Sequence, residues 1–319
     1  MSETLDRVVL LDPSISSSNI GDDIIRECVS AELDGRIDIS AALPTQRRMS
    51  RTEARQAADS TLALVGGTNL LSSNMPWYMQ WKLDLRSIAA LRGKVVLMGV
   101  GWWQYQPAPN LFTRKILTSV LSKEHIHSVR DEYTRRKLVD LGFEALNTAC
   151  PTMWGLDERR FMRDRPSRAV FTLTDYNKEP ETDAWLIAML QRYYDEVLVW
   201  PQSRRDGEYV ARLGTTATVV PGDLATYDRI LQEGADYVGT RLHGGIRAMN
   251  AGSWGLIAAV DNRALEIGRD TGLPVIARNQ REDIEAAVAE RAEPTIDIPR
   301  RNVDAWWEQF SSIRPRMSQ

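Results

Sequence analysis

Short apolar runs alternate along this chain with longer amphipathic stretches. Arg7–Leu11 comes first and is followed by a Ser-rich loop and a helix expected from about Asp22. Leu62–Val65, Val95–Gly99 and His125–Val129 are further apolar runs, each followed by a Gly- or Asp-marked turn and a helical segment. After Pro151 the rhythm restarts with Ala169–Leu173, Val197–Trp200, Thr218–Val220, Asp236–Gly239 and Leu256–Val260, with helical stretches such as Thr182–Tyr194 and Leu224–Glu233 between them. Short strands alternating with helices of about ten or more residues imply parallel sheets joined by right-handed crossovers. The charged, Pro-containing segment Gly155–Ser167 divides two such runs. The expected fold class is therefore α/β, with two doubly wound, Rossmann-like domains facing across a cleft. Their expected spans are residues 1–160 and 161–300, with an amphipathic C-terminal helix in 301–319 (Trp306, Trp307, Phe310) packing back on the first domain.

Composition narrows the function classes. At 319 residues, 43% hydrophobic and 26% charged, the chain can bury two ordinary cores. A net charge of −3 argues against a nucleic-acid footprint, which needs a basic surface. Runs such as Leu62–Val65 fall far short of the ~20 apolar residues of a membrane span, and the opening residues do not read as a signal peptide. Two cysteines and three histidines supply neither a disulfide framework nor a His-rich metal site. A cytoplasmic protein without metal or cofactor is expected.

In open parallel sheets, ligands bind outside the carboxyl ends of the strands, which turns the post-strand loops into candidate sites. The richest is Gly239-Thr-Arg-Leu-His-Gly-Gly-Ile-Arg-Ala248, where Arg241 and His243 stand beside an expected helix N-terminus. Unpaired N–H groups and the helix dipole attract anions there, while a capping His and an incidental surface Arg are the plainer reading. Asn19-Ile-Gly-Asp-Asp23 offers Asp22 or Asp23 as an N-cap or as a base for a hydroxyl group. Gly66-Gly-Thr-Asn69 permits close backbone approach to a ligand. Arg130 and Asp131 suit a structural ion pair as well as they suit anion binding, and His125 and His127 read as structural. Trp77, Tyr78, Trp81, Trp102, Trp103 and Tyr105 fall in two loops and could form a platform for sugar faces or pack in a core. No Walker A pattern and no post-strand G-x-G-x-x-G is present.

Several of these segments, in this order, resemble the polysaccharide pyruvyl transferases. The resemblance rests on Asn19-x-Gly-Asp22, Gly66-Gly67, Gly99-Val-Gly101, Val129-Arg-Asp131, Leu141-Gly142, Thr240-Arg-Leu-His243, Ala251-Gly252, Val260-Asp261 and Asp270-Thr-Gly-Leu-Pro274. It spans most of residues 7–280, and Arg-Leu-His is its most specific element. Two departures stand out. Gly252-Ser-Trp-Gly-Leu-Ile257 replaces the family's Gly-x-Pro-x-Ile, and Pro201-Gln202 stands where Pro-His is common.

The resemblance implies a two-domain, GT-B-like fold and transfer of the enolpyruvyl unit of phosphoenolpyruvate to two sugar hydroxyls, with phosphate released. It leaves open whether the acceptor is lipid-linked, with the protein then at the inner face of the membrane. Phosphoenolpyruvate is highly anionic, so its site needs cations and N–H donors. Arg241, Arg130 and the N–H groups of Gly244 and Gly245 are expected to hold it. His243 is expected to protonate the methylene carbon and Asp22 to orient or deprotonate the acceptor hydroxyl. Asn19, Asn69, Trp102 and Trp103 are expected to contact the acceptor. A nucleotide-sugar glycosyltransferase and a non-catalytic sugar-binding relative are the rival readings.

Overall fold

The computed structural model describes residues 7–311 and 313. The chain divides into two compact units. The first comprises residues 1–17, 25–151 and 299–319, and the second residues 18–24 and 152–298. The division therefore falls at Pro151, ahead of the boundary near residue 160 that the sequence suggests.

In the first half the elements run β1 (Val8–Asp12), α1 (Ile20–Leu33), β2 (Ile39–Pro44), α2 (Arg51–Asp59), β3 (Leu62–Gly66), α3 (Met75–Tyr78), α4 (Leu85–Ala90), β4 (Val95–Met98), α5 (Leu111–Val120), β5 (His127–Val129), α6 (Glu132–Val139) and β6 (Ala145–Asn147). The strands pair in parallel in the order β2-β1-β3-β4, and β5 pairs with β6. The Gly99 N–H donates to the Ser128 carbonyl at 3.0 Å, which sets β5 beside the end of β4. β1 and β3 are buried along their whole length, as strands covered on both faces must be. Their apolar side chains pack with Leu97, Leu117 and Leu138 in one core.

The second half continues with β7 (Arg168–Thr172), α7 (Pro180–Tyr193), β8 (Glu196–Val199), α8 (Arg204–Arg212), β9 (Thr218–Val219), α9 (Leu224–Gln232), β10 (Asp236–Gly239), α10 (Leu242–Asn250), β11 (Gly255–Ala259), α11 (Asn262–Thr271), β12 (Val275–Ala277), α12 (Arg281–Glu290) and α13 (Arg300–Glu308). All six strands pair in parallel, in the order β12-β11-β10-β7-β8-β9. Numbered from β7, this is the Rossmann order, and its reversal point lies between β7 and β10. The expected doubly wound α/β class is what the structure has.

The terminal helix α13 belongs to the first unit. Trp306 is fully buried, Asn302 Nδ2 donates to the Asn147 carbonyl at 2.8 Å, and the Gln309 amide pairs with both backbone groups of Ile126 at 2.9 and 3.1 Å.

Candidate active site

The reversal point of a doubly wound sheet opens a crevice, because the crossovers on its two sides leave in opposite directions. In the second unit, the loops leaving β7 and β10 meet there. Thr172 ties them together: its carbonyl accepts from the Thr240 N–H at 2.9 Å, and its Oγ1 accepts from the Arg241 N–H at 3.3 Å. The Tyr237 hydroxyl reaches the same hydroxyl at 2.5 Å and donates to the Arg241 carbonyl at 2.6 Å. Burial holds the Tyr237 phenol well above its ordinary pKa, so it serves as a neutral donor.

Arg241 immediately precedes α10, and its guanidinium is buried against a partner that the sequence reading did not single out. Asp206, with no exposed surface, accepts from Nε at 3.0 Å and from Nη2 at 2.5 and 2.6 Å. Asp175 stands 3.7 Å from Nη2, and the Tyr176 ring lies 5.1 Å from the guanidinium carbon. The other side of that ring's environment is Arg263, which bonds the Tyr176 hydroxyl and pairs with Asp261, the N-cap of α11. Two arginines thus flank the Tyr176 ring, Arg241 held by Asp206 of α8 and Arg263 by Asp261. The bonds to Asp206 use Nε and Nη2, and Nη1 is not among them.

His243 lies buried in the first turn of α10. The neighbouring glycines have a packing reason. A Cβ at Gly245 would stand 2.7 Å from Tyr237 Cε1 and 2.8 Å from Ile257 Cγ1, so the helix can sit on β10 and β11 only without one. The Gly245 N–H already donates to the Arg241 carbonyl at 3.1 Å, so it is removed from the expected set of anion donors. Gly244 belongs to the turn whose N–H groups find no acceptor one turn back, and its carbonyl accepts from the buried Tyr227 hydroxyl at 2.7 Å.

Gln202, after β8, joins this turn to the start of α1. Its Nε2 donates to Asn19 Oδ1 at 2.8 Å and its carbonyl accepts from the Ile20 N–H at 3.1 Å. Its Oε1 is buried without a partner, and a Cβ at Gly244 would stand 3.2 Å from that oxygen. Residues 18–24 accordingly cluster with the second unit, so Asn19 and Asp22 share a unit with Arg241 and His243. α1 begins at Ile20, ahead of the expected start, which puts Asp22 and Asp23 inside its first turn rather than at the N-cap. Asn19 Oδ1 accepts from Gln202 Nε2 and from the Gly21 N–H at 3.2 Å, which fixes the Asn19 side chain at the start of α1.

The first unit holds a separate cluster. Arg130 is 1% exposed, donates to Asn69 Oδ1, and pairs with Asp131 at 3.2 Å. Asp131 also caps α6 by accepting from the Thr134 N–H at 2.7 Å. Gly101 is required here, because a Cβ would strike the Arg130 guanidinium. Arg130 thus takes the structural ion pair that was one of its two sequence readings. Trp102 is completely buried and cannot offer a face to a sugar; Lys137 Nζ lies 5.8 Å from its ring. Trp103 turns the other way, half-buried, with its ring 4.4 Å from that of Tyr78. The two adjacent backbones are held to different neighbours: the Trp102 N–H goes to Thr134 Oγ1 at 2.9 Å and the Trp103 N–H to the Leu71 carbonyl at 2.7 Å. Among the described residues no group of three or more His, Cys, Asp or Glu is placed to hold a metal ion.

The family model for polysaccharide pyruvyl transferase matches residues 19–257. The chain belongs to the polysaccharide pyruvyl transferase family. The matched span runs from Asn19 to Ile257 and so contains the whole Asn19–Gln202–Arg241–His243 arrangement. No curated protein matches the chain in sequence. Two solved structures are similar in fold: S. aureus MnaA with UDP, 10% identical over 99% of this chain and 100% of that one (TM-score 0.52), and a putative UDP-N-acetylglucosamine 2-epimerase from Listeria monocytogenes, 11% identical over 90% and 88% (TM-score 0.50). At these identities the likeness concerns architecture alone, and it places this family member in the GT-B-like class of paired Rossmann-like units.

Proposed function

We propose that this family member transfers the enolpyruvyl unit of phosphoenolpyruvate to two hydroxyls of a sugar in a cell-surface polysaccharide or its precursor. The observation that carries the reading is Arg241 beside the first turn of α10 at the reversal point of a Rossmann-type sheet, within the matched span. A helix N-terminus and a guanidinium suit a multiply charged anion. Asp206 holds Nε and Nη2 in place, and Nη1 is the atom proposed to meet a donor carboxylate or phosphate.

In the chemistry proposed, His243 gives a proton to the methylene carbon, which leaves positive charge at C2 stabilised by its oxygen. A sugar hydroxyl attacks C2 and loses its proton, with Asp22 as the residue that orients or accepts it. Phosphate then departs with the C–O bonding pair, and the second hydroxyl closes the ketal. Over the sequence one proton is taken up at carbon and two are released from hydroxyls; one of these returns to His243 and the other leaves on the departing phosphate, so the protein returns to its starting state. The residues supply positioning and charge stabilisation, and the scheme routes no step through a metal or a cofactor.

The test pairs binding with turnover. Phosphoenolpyruvate should raise the melting temperature, to the order of ~2.7 kcal/mol of stabilisation at a hundredfold excess over its dissociation constant. Arg241→Lys, which keeps a cation facing Asp206 but removes the planar fork, should lose most of that rise. His243→Gln should keep the rise yet cut phosphate release at saturating donor by roughly a hundredfold or more. Near-normal turnover in His243→Gln would overturn the proton-donor role, and no thermal response to millimolar donor in the intact protein would overturn the donor itself.

A further inference from the structure

The layer of helices α2, α4 and α5 covers one face of the first unit's sheet. The crossovers β2 to β3, β3 to β4 and β4 to β5 all step in the same direction along the strand order, so right-handed connections put all three helices on that face. α2 packs on α4, α4 on α5, and the short α3 on α5. The inner side of this layer is core. Large apolar side chains at the starts of α4 and α5 and on the adjoining α3 stand in solvent: Leu85 is 86% exposed, Leu111 76%, Phe112 71% and Trp77 82%.

The helix starts that carry Trp77, Leu111 and Phe112 are bonded to each other. Asn74 and Asn110, the caps of α3 and α5, bond each other through Asn110 Nδ2 to Asn74 Oδ1 at 2.7 Å. The Met75 N–H donates to Thr113 Oγ1 at 2.9 Å, and the Asn110 N–H to the Ser73 carbonyl at 3.0 Å. The first turns of two helices are thereby clamped side by side with their aromatic and leucine side chains outward. Exposed clusters of this kind mark interaction surfaces.

Charge identifies the partner. Residues 47–115 contain ten Lys and Arg against three Asp and Glu, in a chain whose net charge is −3. Arg114 and Lys115 come two and three residues after Phe112 and are exposed. A groove of about 460 Å³ between α2 and α4 is lined by Arg51, Arg55 and Arg86 over an alanine floor. Tryptophan, phenylalanine and leucine rimmed by Lys and Arg suit the interface of an anionic bilayer, where the rings enter the headgroup region and the cations meet phosphate.

We infer that the α2–α4–α5 face of the first unit docks on an anionic phospholipid surface, with Trp77, Leu111 and Phe112 inserted and Arg86, Arg114 and Lys115 pairing with headgroups. The inference does not rest on the donor chemistry proposed above, so either can fail alone. It is tested by co-sedimentation of the full chain with vesicles of phosphatidylglycerol and phosphatidylcholine in roughly a 1:2 ratio, against pure phosphatidylcholine. The wild type should pellet with the anionic vesicles only, and less so in high salt, where surface charges are screened. W77S/F112S and R114E/K115E should each bind weakly while melting like the wild type. Neutralising each cation is expected to weaken partitioning roughly fivefold, the equivalent of about 1 kcal/mol, and reversal to weaken it further. Equal pelleting with neutral vesicles, no pelleting of the wild type, or unchanged binding by both variants would overturn the inference. So would concentration-dependent self-association that W77S/F112S abolishes without any lipid binding, because the face would then meet a second copy of the chain.

Discussion

Asp206→Ala isolates the contact on which the candidate site depends. The wild-type carboxylate has no exposed surface and meets Arg241 through three contacts of 2.5–3.0 Å. Truncation leaves the guanidinium, only 7% exposed, with Asp175 at 3.7 Å as its nearest remaining anion. Removing one partner of a buried ion pair costs about 3–5 kcal/mol, and the partial rescue by Asp175 argues for the lower end. Asp206 also accepts from the Asp175 N–H at 2.9 Å, and loss of that acceptor adds about 1 kcal/mol. The expected destabilisation is therefore about 4 kcal/mol, a large share of the ~5–15 kcal/mol that holds a typical protein folded. Asp206→Asn keeps an oxygen acceptor for the Asp175 N–H while removing the charge, so it should fall between. Equilibrium urea unfolding followed by tryptophan fluorescence measures both. A shift in midpoint worth less than about 1 kcal/mol for Asp206→Ala, with the slope unchanged, would refute the view that this pair fixes Arg241.

His127 makes a pH prediction. Burial lowers its pKa from 6.5 to about 4, with Nδ1 accepting from the Leu97 N–H at 3.3 Å and Nε2 bonded to the Ser122 carbonyl at 2.9 Å. The unfolded chain therefore binds this proton more readily than the folded one, so the contribution is complete above about pH 6.5 and is lost as pH falls toward 4. Between pH 7.5 and pH 5 the wild type should lose about 2 kcal/mol more stability than His127→Gln, as read from urea midpoints, and parallel profiles would contradict it. Gly245→Ala should destabilise by about 1–3 kcal/mol, because its methyl would stand 2.7 Å from Tyr237 and 2.8 Å from Ile257; a melting temperature equal to the wild type would show that α10 shifts freely on the sheet.

Most of the strands legible in the sequence are buried along their length, and their continuous apolar runs announce them; β9, two exposed residues at a sheet edge, was legible only within the short β-branched run Thr218–Val220. β2, β6 and β12 went unread, and all three are sheet edges. β2 alternates half-buried and exposed residues before ending in Pro44, while β6 and β12 are three residues long and largely half-buried, so neither offers a run to detect. The site shows the same division. Arg241 and His243 were visible because a charged motif follows a buried strand. Asp206 was not, because Ser203-Arg-Arg-Asp206 has the spacing of an ordinary helix cap, and Ser203 Oγ does accept from the Asp206 N–H at 3.2 Å. The carboxylate then leaves that local pattern for an arginine that lies 35 positions along the chain. Gln202 was legible only as a missing imidazole, and its bond to Asn19 depends on a tertiary contact no local window contains. Trp102 was misjudged for the opposite reason, since two adjacent tryptophans carry no mark of which one turns inward.

The bond between Asn19 and Gln202 joins positions 183 apart in sequence, and the Gln309–Ile126 pairing spans the same interval. At a synthesis rate of about 5–20 residues per second, each early partner waits on the order of ten to forty seconds before the later one leaves the ribosome. Neither unit is one continuous stretch of polypeptide, so neither can close as soon as its first half is made. A fragment ending at residue 298 would lack the strip that completes the first unit, and one beginning at 152 would lack residues 18–24 of the second. Cutting the gene at the boundary between the units would yield two incomplete pieces. Adding a peptide that covers residues 18–24 to the 152–298 fragment is then a complementation problem, with the nascent chain solving the same problem by waiting.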